Sequence, residues 1–323
     1  MTYSLLARDP TTGDIGVAVQ SHFFAVGRLV PWATAGVGAV ATQAMVEPSY
    51  GSHGLELMGR GYAPNDALAQ LLEQDLGSEH RQVALMAADG TAAVHTGSAC
   101  ISAAGHTTDH GLSTHANLVE SEAVWPPMSE AFRTADGNLA HRMLAALRAA
   151  ERHGGDIRGR QSSAMLIVRG TPTGHLAEDR VVDVRVDDAA HPLDELERLI
   201  DHAEAFGGLL RMLQTEGLLS GEHTADAELV RQALAELDAA QRVIGEKNVE
   251  PTVWKGLLLA RSGHQDEARR TFQQAIRTEP RTATLVRRLA RAGTWPGDPA
   301  TLDTLLTPSD SPAVPDPHSE PDR

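Results

Sequence analysis

The sequence predicts an α+β protein in which two packed β-sheets are covered by layers of helices, followed by a smaller all-helical module. Predicted strands come in hairpins and predicted helices in pairs, which does not fit the regular βαβ alternation of a doubly wound parallel sheet. Strands such as 164–168 are apolar almost throughout, as in sheets buried on both faces. From Asp226 onward the pattern is helical only.

The chain begins with a predicted antiparallel hairpin. Two apolar runs, 5–8 and 15–20, are separated by the turn-forming residues 9–14. If the last residue of the first run pairs with the first residue of the second, Thr2 lies opposite Ser21, and His22 follows directly. A shift of one residue would turn these side chains to the other face.

Further elements follow in order, each bounded by turn formers. The predicted strands are 36–44, 82–88, 92–96, 114–119, 163–169 and 181–186. The predicted helices, with apolar residues at helical spacing, are 51–61, 63–76, 124–134, 138–153 and 193–205. The polar, glycine- and histidine-rich stretch 104–113 is predicted to be a loop.

The domains are predicted at 1–205 for the sheet domain, 206–306 for the helical module and 307–323 for a disordered, Pro- and Asp-rich tail. The module matches part of a tetratricopeptide repeat. The matching residues are Gly256, Leu259, Gly263, Ala268, Phe272, Ala275 and Pro280. Trp254 stands two positions past the repeat's tryptophan.

Composition excludes several classes of function. The formal net charge is −15, whereas proteins that bind nucleic acids usually carry a basic surface, so nucleic-acid binding is not expected. No segment approaches the roughly 20 apolar residues that span a bilayer, and no signal peptide is visible, so a cytoplasmic protein that does not bind membranes is expected. The single cysteine, Cys100, is expected to be a small buried side chain.

Thr2 offers the most compact reaction centre in the chain. If Met1 is removed, a hydroxyl and a free α-amine share one residue. An α-amine with a pKa of about 7.7 to 8.0 is partly neutral near pH 7 and can accept the hydroxyl proton. The alternative is that Thr2 has no catalytic role, since many proteins begin with Met-Thr.

Several segments together resemble a family of bacterial proteins of unknown function assigned to the N-terminal nucleophile (Ntn) hydrolase superfamily. The resembling segments are 2–4 (TYS), 16–22 (GVAVQSH), 35–43 (AGVGAVATQ) and 159–162 (GRQS). Over residues 2 to about 190 the resemblance implies a four-layer αββα sandwich, with Thr2 as the nucleophile of an amidase or peptidase. Asn117 is the candidate oxyanion donor. The lysine of the proteasome-like branch has no counterpart, so His22 or Arg160 would supply the positive charge.

Other polar residues complete the hypothesis. Ser4 shares a strand face with Thr2 and is either its partner or a rival nucleophile, while Ser21 and His22 flank the centre. The candidate substrate-binding residues are Gln43, His95, Arg160 and Ser162, of which Arg160 would bind a substrate carboxylate. A zinc site among the residues His95, His106, His110 and His115 is not favoured, because only His106 and His110 are closely spaced. No metal or cofactor is predicted.

The sequence therefore predicts an Ntn-type hydrolase of a small-molecule or peptide-like amide, acting through an acyl-enzyme on Thr2 and assembled as a homo-oligomer, a dimer. The competing class is a non-catalytic binding or scaffold protein that uses the helical module for protein partners. A lesser alternative is a hydrolase that depends on Ser4 or on a histidine-bound metal.

Overall fold

The computed structural model describes residues 2–293 and 298–307, without the side chain of Pro299. The chain divides into two compact units with the boundary between Ile200 and Asp201. Each unit has its own hydrophobic core. No helix in the described ranges has the length and apolar composition needed to cross a bilayer.

Within its described residues, unit 1 contains two antiparallel sheets. The strands in chain order are β1 (Thr2–Arg8), β2 (Ile15–Ser21), β3 (Pro31–Thr34), β4 (Gly38–Ala44), β5 (Arg81–Ala87), β6 (Ala92–Thr96), β7 (Gly105–Asp109), β8 (Leu112–Asn117), β9 (Ser162–Val168) and β10 (Arg180–Val186). The large sheet has the order β10-β9-β2-β1-β8-β7, and the small sheet has the order β3-β4-β5-β6.

The helices follow the same chain order. They are α1 (Ser49–Gly59), α2 (Pro64–Glu73), α3 (Pro126–Thr134), α4 (Leu139–Arg152), α5 (Leu176–Asp179), α6 (Pro192–Gln214), α7 (Ala227–Ile244), α8 (Glu250–Arg261), α9 (Gln265–Thr278), α10 (Thr282–Arg291) and α11 (Pro299–Leu306). Helix α6 contains the unit boundary, and the helices after it belong to unit 2.

Side chains of β1 alternate between two cores. Tyr3 and Leu5 are packed in a core with buried residues of α3, α4 and α6. Leu6 faces the opposite way, into a core shared with β4 and β5 of the small sheet. The other face of the small sheet packs on α1 and α2. The contacts therefore order unit 1 as helices, large sheet, small sheet and helices.

The hairpin at the start of the chain has the predicted register, because Arg8 lies opposite Ile15 and Tyr3 lies opposite Gln20. Two strands were not predicted. Residues 104–113 are not a loop: they contain β7, an edge strand whose mostly polar, partly exposed residues show no apolar alternation. The short strand β3 is likewise an edge, and it has no fully buried residue.

The named elements among the described residues of unit 2 are all helices. Its core is a single cluster that includes Leu258 of α8 and Phe272 of α9, both fully buried. A Cβ at Gly256 would come within 2.5 Å of the Phe272 ring, so the lack of a side chain there allows α8 to approach α9 closely. Apart from Thr307, the predicted tail 307–323 lies outside the described residues.

Candidate active site

Thr2 lies in a buried polar row across four strands at one end of the large sheet. It is the first residue of β1 and lies opposite Asn117 of β8. The Oγ1 of Thr2 is hydrogen-bonded to Ser21 Oγ at 3.2 Å, and Ser21 lies opposite Ser162 of β9. Directly opposed residues share a sheet face, and Thr2 shares its face with Leu6. The row therefore points towards the small sheet.

Backbone strain is concentrated at the same end of the sheets. The three described non-glycine residues with φ in the left-handed region are Ala25 at 55°, Ala44 at 70° and Leu118 at 54°. Leu118 follows Asn117, Ala44 ends β4, and Ala25 lies in the loop after β2. Such conformations cost about 1–3 kcal/mol and cluster at functional sites. This end is therefore the best candidate for a site in unit 1.

A buried hydrogen-bond network lies next to Thr2 on the same face. Ser4 Oγ donates to Gln43 Oε1 at 2.7 Å and lies 2.9 Å from His115 Nδ1. Because the Ser4 hydroxyl has one proton, and Gln43 takes it, His115 must donate from Nδ1. His115 Nε2 is then the acceptor for Ser113 Oγ at 2.9 Å. The geometry thus assigns one tautomer to His115.

His115 is neutral in this network. Burial lowers its pKa to about 3, and the neighbouring His106 lowers the pKa further. In the assigned tautomer His115 donates to Ser4 and cannot remove its proton. Ser4 is therefore arranged as a hydrogen-bonded partner of the site rather than as the nucleophile of a Ser-His pair.

Gln82 joins the two sheets at the site. Its Oε1 accepts from Gln43 Nε2 at 2.7 Å and from Asn117 Nδ2 at 3.0 Å. Asn117 Nδ2 also points towards the backbone oxygen of Thr2 at 3.5 Å. Gln82 was missed by the sequence reasoning, although a buried glutamine at the start of an otherwise apolar strand was a usable signal.

His22 and Ser162 organise the loop beside Thr2. The backbone N–H of His22, rather than its imidazole, makes the contact shown, donating to the buried Asp156 Oδ2 at 2.8 Å. Ser162 Oγ donates to the Phe23 oxygen at 2.5 Å and accepts from the Val26 N–H at 3.1 Å. Asp156 was also missed, because nothing in the loop sequence marks a carboxylate as buried.

The structure does not bring Arg160 or His95 to this row. Arg160 Nε forms an ion pair with Glu151 of α4 at 2.8 Å, and its Nη1 lies 3.2 Å from His191 Nδ1. His95 Nε2 lies 2.8 Å from the backbone oxygen of Ser78. The guanidinium of Arg160 is therefore paired with Glu151 and the ring of His95 with a backbone oxygen, rather than with residues of the row.

Among the described residues, no group of three or more His, Cys, Asp and Glu side chains could hold a metal ion. Burial raises the pKa of the Cys100 thiol, whose Sγ donates to the Arg81 oxygen at 3.2 Å. The thiol therefore lacks the thiolate character of a reactive cysteine.

Together, the fold and the site define an α+β protein with two packed antiparallel sheets and a buried polar row that contains Thr2. Residues 2–196 match the model of the Family of unknown function (DUF1028), and the chain belongs to that family. No curated protein matches the chain.

Two solved structures were found to be similar. A crystal structure of a protein of the same family from Silicibacter pomeroyi is 33% identical, covers 62% of this chain and 88% of that chain, and has a TM-score of 0.57. Anbu (ancestral beta-subunit) from Yersinia bercovieri is 13% identical, covers 68% of this chain and 99% of that chain, and has a TM-score of 0.32.

Proposed function

We propose that the protein is an amide hydrolase of the Ntn type and that its layered sheet domain is an Ntn-hydrolase sandwich. The observation that carries the proposal is the position of Thr2, which is the first residue of an inner strand, is only 6% exposed and points between the sheets. A hydroxyl held by Ser21 at a strand end, beside strained loops, is suited to a nucleophile.

The mechanism requires that the peptide bond before Thr2 be cleaved. The free α-amine then accepts the Oγ1 proton as Oγ1 attacks the substrate carbonyl carbon. The tetrahedral intermediate collapses with expulsion of the amine, which takes that proton, and leaves an acyl ester on Thr2. Water hydrolyses the ester, releases the acid and restores the hydroxyl.

Asn117 is the proposed oxyanion donor. Its Nδ2 group lies on the strand next to Thr2, and its orientation is fixed by Gln82 at 3.0 Å. The second N–H, which makes only a long contact of 3.5 Å with the backbone oxygen of Thr2, is the one that would donate to the substrate oxyanion. Loss of such a donor reduces the rate by about 10²- to 10³-fold.

The substrate is proposed to carry an apolar group beside the amide. Exposed apolar side chains lie in loops that border the strand ends of the site; they are Phe23, Phe24, Met45, Ile101 and Ile157. Exposed apolar side chains that border a site are suited to contact an apolar group of a ligand. Amides with aliphatic or aromatic acyl groups are therefore expected to react faster than charged ones.

The test combines intact mass, an activity screen and substitution of Thr2. The mature chain should lack Met1, and a screen of acylated amino acids, γ-glutamyl amides and short peptides should show turnover and a trapped adduct on Thr2. Thr2→Ala should reduce turnover at least about 10³-fold. Thr11→Ala, in an exposed turn, is the matched control.

Full turnover by Thr2→Ala, or by a chain that retains Met1, would refute the mechanism.

The second candidate function is that of a binding protein. It is favoured by a cavity of about 540 Å³ in unit 2, whose lining includes Lys255, Arg269, Arg270 and Arg277. Basic residues in a groove suit an acidic partner. In that case no adduct forms on Thr2, whether or not Met1 is removed.

A further inference from the structure

A second polar site lies on the helix-facing side of the large sheet, behind Thr2. Tyr3 follows Thr2 in β1, and it lies opposite Gln20, which precedes Ser21 in β2. Because successive side chains of a strand point to opposite faces, those of Tyr3 and Gln20 point away from the small sheet. Both residues are fully buried. Tyr3 Oη, Gln20 Nε2 and Gln20 Oε1 lack a hydrogen-bond partner among the described residues.

The register of the large sheet locates this polar pair between two helices. Gln20 lies between Tyr3 and Ser163, and Ser163 Oγ donates at 2.9 Å to the oxygen of Pro192, the first residue of α6. A Cβ at Gly155 would lie 3.5 Å from the Tyr3 ring and 3.4 Å from the Cα of Glu151 in α4. Tyr3 and Gln20 thus lie under the gap between α4 and the start of α6.

A cavity of about 300 Å³ occupies the same gap. Its lining includes Arg148, Glu151 and Arg152 of α4, Asp194 of α6, and Arg160. The Nε of Arg148 is a further buried atom without a partner. Arg148 lines the cavity, and the three unpartnered atoms of Tyr3 and Gln20 lie in the sheet under the gap between the two helices. Four such atoms in one region are unusual, because buried polar groups in folded proteins are almost always hydrogen-bonded.

The chemistry of these groups specifies the ligand. Donors predominate: the Tyr3 hydroxyl, the Gln20 amide N–H groups, Arg148 Nε–H and the exposed guanidinium of Arg152. Burial, followed by Glu151 and Asp156, raises the pKa of Tyr3, so its hydroxyl stays protonated and can donate. Donors of this kind bind a carboxylate.

Acceptors are also available in the gap. Gln20 Oε1 is unpartnered, and the Glu151 and Asp194 carboxylates line the cavity. These acceptors would bind an N–H group on the same ligand. We propose that this gap binds a small molecule carrying a carboxylate and an N–H donor, of the α-amino acid class.

A ligand carboxylate in the cavity would compete with the ion pairs that Arg148 makes. Its guanidinium bridges Asp194 at 3.0 Å and Glu197 at 2.8 Å, and these two carboxylate side chains are 67% and 47% exposed. Ion pairs this exposed contribute little to stability, so exchanging them for contacts to a ligand carboxylate costs little. The site is independent of the proposed chemistry at Thr2.

Isothermal titration calorimetry of the full chain tests the proposal. L-glutamine and L-alanine should bind saturably, and acetate and inorganic phosphate should bind at least about tenfold more weakly, because each lacks the N–H group. Tyr3→Phe and Arg152→Gln should each weaken L-glutamine binding about tenfold, the usual effect of losing one charge-assisted hydrogen bond. Thr2→Ala should leave it unchanged.

Arg133→Gln is the matched control, because Arg133 pairs with Asp109 at the opposite end of the large sheet. Both Arg152→Gln and Tyr3→Phe are small changes, one at an exposed side chain and one that removes a single oxygen, and circular dichroism checks that each variant folds. Absence of saturable amino acid binding overturns the proposal. Equal affinity for acetate, or binding insensitive to both substitutions, overturns it as well.

Discussion

At the scale of single residues, the site depends on where protons lie. Ser4 and His115 each donate one hydrogen bond and accept one, and Ser113 donates to His115 and is the acceptor available to Thr108 Oγ1 at 3.3 Å. A buried network in which every member is satisfied fixes one side-chain arrangement. Thr2 therefore lies next to a side-chain network whose hydrogen bonds are already formed.

His115 should make the protein sensitive to acid. Its pKa is lowered to about 3 in the folded state by burial, whereas an unfolded histidine has a pKa of about 6.5. Between these values the unfolded state binds more protons, so the free energy of unfolding falls as pH decreases from about 6.5 to about 3. The slope contributed by one such group approaches about 1.4 kcal/mol per pH unit.

Urea unfolding at a series of pH values measures this slope, and His115→Gln provides the comparison. The variant keeps an amide that can reach Ser4 and lacks the titrating ring, so its stability should depend less on pH in this window. Substitution of the exposed His53 by Gln is the control and should leave the slope unchanged. Identical slopes for His115→Gln and the unsubstituted protein would contradict the assignment.

At the scale of elements, the close approach of α8 and α9 requires a glycine. Ala at Gly256 would place its Cβ within 2.5 Å of the Phe272 ring, which is fully buried and cannot move freely. Overpacking of this kind destabilises by about 1–3 kcal/mol, more than the roughly 1 kcal/mol that Ala gains over Gly in a helix. Gly256→Ala should therefore lower the stability of unit 2.

Gly207→Ala is the matched substitution within a helix of the same unit. The nearest atom to its added Cβ is Arg211 Nη1 at 3.6 Å, the end of a flexible side chain. Because the added methyl group meets no rigid neighbour, the higher helix propensity of Ala should stabilise the protein by up to about 1 kcal/mol. Thermal unfolding of the two variants should move in opposite directions, and a shift of both to higher temperature would contradict the packing argument.

Edge strands show where reading elements from the sequence fails. Strands β1, β2 and β9 are inner strands, so their side chains alternate between two cores and their patterns are apolar and distinct. The edge strand β7 has hydrogen bonds on one side and exposed residues such as His106 and Thr108. Its backbone pairing with β8 defines it, and that pairing leaves no mark in the local sequence.

At the scale of the whole molecule, α6 contributes to both units. Leu193, Leu196 and Ile200 are buried in the helix-side core of unit 1, and Leu209 and Met212 are buried in the core of unit 2. The boundary between Ile200 and Asp201 thus falls inside a helix rather than in a linker. A truncated protein must therefore retain the first half of α6 for unit 1 to keep its core.

A chain ending at Ala205 should fold, and one ending at Ala190 should not. The shorter chain loses three side chains that are at most 3% exposed. Burial of each contributes about 1.5–3 kcal/mol, a sum comparable with the whole stability of a typical domain. Circular dichroism with heating should show a cooperative transition for the longer chain only, and equal melting temperatures would contradict this account.

The sequence by itself determined the periodic features of the molecule. Turn formers and apolar runs fixed the first hairpin and its register, and that register was enough to bring Thr2 opposite Ser21. Apolar spacing likewise located α4 within one residue at each end, since a buried helix face repeats at a fixed interval.

Only the tertiary structure decided which polar residues meet. Gln82 reaches Asn117 across two sheets, and Arg160 turns to Glu151 on the helix side instead of to Thr2. Hydrophobic burial is encoded in local periodicity, whereas a hydrogen bond between residues far apart in sequence depends on how whole layers stack. For that reason the layers and the Thr2–Ser21 pair of the first hairpin could be read from the chain, whereas the polar partners that lie on different layers could not.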